Sequence, residues 1–176
     1  MALFQVSLKS ATESAGMEAP APRAKELEYR APADPRELLK VDDAMRAYFR
    51  PRVRAEARAY DQLQQIVDAV LRPEGLGFTY DPTGTFDASE TFRRRGGNCV
   101  SYAFLVVAIA REFGLEAVFQ NVSRTRRWAR VDGLVMVVLH LDVRVTADDQ
   151  VLVVDLEPDL TPLRENQLNA ISDERA

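Results

Sequence analysis

The pattern of apolar and polar positions divides the chain into a helical first half and an alternating second half. From Val100 to Phe113 the residues are apolar on nearly every face, broken chiefly by Ser101, Tyr102 and the pair Arg111 and Glu112. A run of this length is too short to cross a bilayer, so it predicts a helix buried in a globular core. Asn98 stands at its start as a favoured N-cap, behind the paired glycines Gly96 and Gly97, and Gly114 supplies a left-handed stop. Upstream, Asp42 is placed to cap a short helix through Phe49, and Pro51 breaks it. Val53, Ala57, Tyr60, Leu63, Val67, Val70 and Leu71 then advance by three or four residues, which predicts a longer helix after Pro51 to about Leu71 with one buried stripe. Residues 73–86 carry Pro and Gly at turn spacing and read as a loop. Asp87 and Glu90, in capping-box relation, open a short helix that delivers the chain to Gly96.

Beyond Gly114 the period changes to two. Ala117–Val122, Leu134–Val145 and Val151–Leu156 predict strands, so the helical half feeds an antiparallel sheet. Met1–Lys9 alternates as a half-buried strand does, while residues 10–36, with Pro20, Pro22, Pro32 and Pro35, lack periodicity and read as a mobile arm. The organisation expected is an N-terminal segment and arm over 1–36, a domain over 37–160, and a tail or the start of a helical extension over 161–176.

Composition narrows the chemistry. The chain has 176 residues, 47% hydrophobic and 28% charged, enough for one domain with a proper core. With 23 basic and 27 acidic residues the net charge is −4, which offers no basic field for nucleic acid or an anionic membrane. One cysteine and one histidine exclude an internal disulfide and a cysteine-based zinc site. No metal or cofactor is expected. The first residues lack the basic start and apolar run of a secretion signal, which sets a cytoplasmic expectation.

The single cysteine, Cys99, falls in the first turn of the apolar helix, where the positive end of the macrodipole favours thiolate. The two later strands are separated by Thr146-Ala147-Asp148-Asp149, a common hairpin length. If Val145 pairs with Gln150, the only histidine, His140, falls directly opposite Asp155 on the same face, with Cβ atoms about 4.5–5.5 Å apart. A slip of one residue would put the two on opposite faces. Cys99, His140 and Asp155 can then serve as nucleophile, base and orienting carboxylate. The helix amide of Cys99, with a loop side chain such as Tyr80, can stabilise an oxyanion. Asn98 and Trp128 are further candidates for substrate or oxyanion contacts. Taken singly, a cysteine on an apolar helix, a histidine on a strand and an aspartate at a strand end are more often structural. Their coincidence favours chemistry. The segment SRTRRWAR, residues 123–130, gathers four arginines around Trp128 and reads as a solvated loop with one anchoring aromatic, although it also suits an acidic peptide. Asn121-Val122-Ser123 matches a glycosylation sequon by chance in a chain read as unsecreted.

RRRGGNCVSYAFLVVAIAREFGLEA, then Trp128, LHLDVRV around His140 and VLVVDLEP around Asp155 together resemble the transglutaminase-like superfamily. More narrowly, they are similar to the bacterial transglutaminase-like domains found ahead of tetratricopeptide repeats. The resemblance covers about residues 73–158. It implies an α+β, papain-related core, with a helical N-terminal half packed on an antiparallel sheet and the nucleophile at the start of a buried central helix. It also implies Cys99 as nucleophile, His140 as general base and acid, and Asp155 as its orienting partner. Asp142 stands where an Asn is expected, and the chain ends where relatives continue into helical repeats, a possible adjacent domain or partner.

Two functions follow. The first is cysteine-dependent acyl transfer on an amide of a peptide or protein substrate through a Cys99 thioester, in which hydrolysis and amine transfer share the intermediate. The alternative is a catalytically silent module of the same fold that binds a protein partner; the presence of all three triad residues argues against it.

Overall fold

The computed structural model describes residues 34–131, 134–148, 150–156 and 168–173, with Pro35 and the strand residues within 122–140 and 168–169 described through their backbone. The expected strand at Met1–Lys9 and most of the arm lie outside these residues. Five helices, α1 (Pro35–Leu38), α2 (Asp43–Phe49), α3 (Ala59–Leu71), α4 (Ala88–Arg94) and α5 (Cys99–Glu112), precede the main sheet. Two short strands, β1 (Thr79–Tyr80) and β2 (Gly96–Gly97), pair in parallel ahead of α5. The main sheet is antiparallel, in the order β5 (Gln150–Val154), β4 (Leu134–Ala147), β3 (Glu116–Val131), β6 (Leu168–Ile171). Among the described residues no helix is long and apolar enough to cross a membrane.

Local chemistry decides where the helices begin. The Asp42 carboxylate accepts from the Met45 amide, and the Asp87 carboxylate accepts from the Glu90 amide. Glu90 does not complete a capping box; its carboxylate turns to Arg93 and Arg94. The stretch after Pro51 is not helical as the stripe predicts, and α3 starts only at Ala59. Two glutamines of α3 account for this. Gln62 Nε2 donates to the carbonyls of Arg54 and Ala55, and Gln65 Oε1 accepts from the Arg54 amide, so side chains satisfy backbone groups that a helix would have used. The N-cap of α3, Arg58, gives no side-chain cap; Asp148, in the β4–β5 connection, accepts from the Tyr60 amide at 3.2 Å instead.

Helix α5 is the centre of the molecule. Every residue from Ser101 to Ala110 is buried, against α3 and α4 on one side and β3 and β4 on the other. Phe104 meets Phe119 of β3 edge to face, with centroids 5.5 Å apart. Each fully buried Leu, Ile, Val or Phe contributes roughly 1.5–3 kcal/mol, so packing outweighs the cost of its β-branched residues in a helix. The start of α5 is fixed by polar contacts. Asn98 Oδ1 accepts from the Ser101 amide, and Asn98 Nδ2 donates to Thr85 Oγ1 at 2.6 Å. The fully buried Ser101 hydroxyl accepts from the Phe86 amide at 2.8 Å and lies 3.2 Å from both the Gly84 carbonyl and Asn98 Oδ1. At Gly97, with φ of +151°, a Cβ would stand 2.6 Å from the Ser101 Cβ, so only glycine lets the strand approach the helix this closely. Gly114 takes the left-handed conformation expected of the stop, with φ of +80°.

The sheet differs from expectation in three respects. Val145 pairs with Leu152 and Ala147 with Gln150, leaving two residues in the hairpin connection rather than four. Strand β3 runs on through residues 123–130, read above as a loop, and beyond a shift in register Arg127–Val131 pair with the Val-rich β4. Leu168–Ile171 pair with Phe119–Val122 as an edge strand, so the sheet draws on chain beyond residue 160.

Two consequences can be measured. Ser101→Ala is expected to lower stability by about 1–3 kcal/mol, because the Phe86 amide loses its acceptor, read as a lower denaturant midpoint at unchanged slope. The second concerns Arg111, which donates to the Ala117 carbonyl and to both Asp173 oxygens at 2.6 and 2.9 Å. Its guanidinium holds the Asp173 carboxyl below the ordinary value of 3.8. A carboxyl depressed in the folded protein adds stability above its ordinary pKa and loses it as pH falls through the folded value. The melting-temperature gap between the wild type and Asp173→Asn is therefore expected to be widest at neutral pH and to close in acid below 3.8.

Candidate active site

Cys99 is the first residue of α5, unbonded to any other cysteine and half-buried. The capping network holds its backbone from both sides, with Asn98 before it and Ser101 two residues after. The carboxamide of Asn98 is engaged at both its oxygen and its nitrogen, which makes it a cap and a tie to Thr85. Tyr80 lies on β1 opposite Gly97, two residues before the thiol, and at 49% exposure it is the exposed large hydrophobic among the described residues.

The other members come from the sheet. His140 lies on β4 opposite Val122, and Trp128 lies on β3 opposite Val137. Their side chains are outside the described set. The pairing of β3 with β4 shifts between Val122 and Arg127, where four residues of β3 stand against one of β4 immediately beside His140. Such bulges re-aim the chain and are common next to functional sites.

Asp155 follows the last residue of β5 and is buried, at 7% exposure. The observed register corrects the direct opposition of His140 and Asp155. The last pair is Val143 with Val154, so one further rung sets Asp155 beside Asp142. His140 is then a diagonal neighbour of Asp155, at about 7–8 Å by strand geometry rather than face to face. The shift is two residues, and the face is unchanged.

Three polar residues therefore form one row across the sheet. Gln120 pairs with Asp142, each 1% exposed, and Asp155 continues the row. The Gln120 carboxamide has no hydrogen-bond partner among the described residues. Phe119 and Val143 belong to the other face, and Phe119 packs on α5.

Tyr102 stands one helical turn after Cys99 on α5 and is buried. Burial pushes its hydroxyl well above the ordinary tyrosine value, and the charge of Asp155 pushes it the same way. The phenol therefore stays protonated, and its oxygen has no hydrogen-bond acceptor or donor among the described residues. Sequence reasoning did not assign Tyr102 or Gln120 to the site. The signal for Tyr102 was present, since Ser101 and Tyr102 are the polar interruptions in the first turn of an otherwise apolar helix. Gln120 in AVFQNV reads as an ordinary outward position of a strand.

A cleft of about 830 Å³ opens beside the β1–β2 pair, walled in part by Leu76, Phe78, Phe86, Arg94 and Arg95. A second, of about 570 Å³, lies at the opposite end of α5 against Ile109, Glu112 and Phe113. Cys99 is not among the lining residues of either cleft.

No protein-family model matches the chain, and no curated protein matches it. Among solved structures, a candidate cysteine protease from Cytophaga hutchinsonii is 18% identical with a TM-score of 0.52, over 77% of this chain and 45% of that one. A candidate protease from Parabacteroides distasonis is 13% identical with a TM-score of 0.50, over 70% of this chain and 25% of that one. This chain spans less than half the length of the first and a quarter of the second. At these identities the likeness is one of fold: a mixed helix-and-sheet arrangement similar to that of structures named as candidate proteases.

Proposed function

We propose that the protein is a papain-related, transglutaminase-like cysteine enzyme that transfers the acyl group of an amide through a thioester on Cys99. The observation that carries this reading is the position of Cys99, half-buried as the first residue of α5, with the Asn98 and Ser101 contacts fixing the backbone on either side of it. The fold likeness to a candidate cysteine protease supports it further.

In this mechanism His140 takes the proton of the Cys99 thiol, and the thiolate attacks the amide carbonyl. The backbone amide of Cys99, at the open end of α5, donates to the resulting oxyanion. Collapse of the tetrahedral species breaks the C–N bond, and the amine leaves with the proton held by His140. Water or a second amine then attacks the thioester, and the thiol is restored. Asp155, diagonal to His140 in the strand register, orients the imidazole and offsets its charge.

Labelling of the full chain with iodoacetamide at neutral pH tests this. Modification of Cys99 is expected to slow by roughly tenfold in His140→Ala, since the thiolate, not the thiol, reacts. Equal rates in the two proteins, with both equally folded by circular dichroism, overturn the reading.

A further inference from the structure

Three arginines end α4 and lead into β2, and Glu90 occupies two of them, Arg93 at 2.7 Å and Arg94 at 2.6 Å. Arg94 also lies over the Phe86 ring, 4.5 Å from its centroid. The exposed Arg95 side chain has neither an ion pair nor a hydrogen bond among the described residues. Its backbone is nonetheless held in place: the Arg95 carbonyl accepts from the Thr79 amide at 2.9 Å. Arg95 sits at φ 57° and ψ 36°, the left-handed conformation that usually belongs to glycine after a helix. An unpaired cation is thus fixed at a position where the backbone favours a different residue.

Arg94 and Arg95 line the 830 Å³ cleft together with apolar residues that include Leu76, Phe78 and Phe86. Asp81, which lines the same cleft, is engaged by the amide and hydroxyl of Thr83 at 2.9 and 2.7 Å. The cleft also reaches Gly96, and Cys99 follows three residues later. Three residues span at most roughly 10 Å, so the cleft lies within a few peptide units of the thiol.

We propose that this cleft is a substrate subsite in which Arg95 binds a carboxylate side chain of the peptide whose amide is attacked at Cys99. The inference rests on the acyl-transfer reading and adds to it an acidic substrate class. A guanidinium matches a carboxylate in a two-pronged, charge-assisted contact, while the apolar lining residues take the methylene stem.

The test uses the full chain and alanine-based pentapeptide vinyl sulfones bearing one Glu, Gln or Lys at successive positions. A Glu probe is expected to label Cys99 about tenfold faster than its Gln counterpart at one or two positions, as one charge-assisted pair predicts. That preference should vanish in Arg95→Gly, where the Glu and Gln probes should label at about the same rate. Glycine suits the left-handed backbone, so this variant should melt no lower than the wild type. A second arm measures binding of a fluorescent Glu peptide without the vinyl sulfone to Cys99→Ala, alone and combined with Arg95→Gly. An unchanged Glu-to-Gln labelling ratio, or unchanged binding, in Arg95→Gly overturns the subsite. Acid-selective binding to Cys99→Ala without peptide-dependent labelling of the wild type overturns the acyl-transfer reading and leaves the cleft's preference standing. The absence of both overturns the two together.

Discussion

The hydroxyl of Ser101 serves a backbone amide, a backbone carbonyl and the Asn98 carboxamide from a fully buried position. It joins the loop at 84–86 to the first turn of α5, and Gly97 permits the join because a side chain there would occupy the same space. Cys99 lies inside this knot but its side chain takes no part in its bonds, so its backbone is held while the residue remains half-buried rather than sealed. A reactive group needs both properties. Fixed geometry lowers the entropy lost on approach to a substrate, and partial exposure lets the substrate arrive.

The two ends of α5 are held by different physics. At the N-terminal end the contacts are short neutral hydrogen bonds in a buried setting, where partnering is obligatory. At the C-terminal end Glu112 meets Arg46 and Arg111 grips Asp173, ion pairs open to solvent and weakened by salt. The stringent constraint therefore lies beside the thiol. The sheet repeats this asymmetry: Phe119 and Val143 on one face join the apolar core, while Gln120, Asp142 and Asp155 form a buried polar row.

What could be read from the sequence was what is decided within a few residues. The caps at Asp42, Asp87 and Asn98 were legible because each donor lies three residues from its acceptor. The start of α3 was not, because Gln62 and Gln65 reach back to residues 54 and 55. The β6 strand was invisible because its partner, Phe119–Val122, is remote in the chain and no local pattern announces it. The hairpin register was misread by two residues, since composition near Thr146 to Asp149 suits a loop of either length. Side chains alternate with period two, so the even error changed which residues oppose one another without moving either to the other face. Tyr102 and Gln120 escaped because a polar residue in an apolar run has no visible partner until the tertiary structure supplies one.

The Asp148 carboxylate at the first turn of α3 couples elements that are otherwise far apart. Residue 148 belongs to a hairpin connection, ordinarily a place where insertions are harmless. Here it completes a helix whose own N-cap offers no side chain, 88 residues earlier in the chain at Tyr60. A slip of the hairpin by two residues would carry that carboxylate about 7 Å along the strand, out of reach of the amide. Helix α3 is therefore a gauge of strand register: a chain with β4 and β5 misaligned leaves the helix uncapped, and the penalty falls on the correctness of assembly rather than on any contact within the sheet.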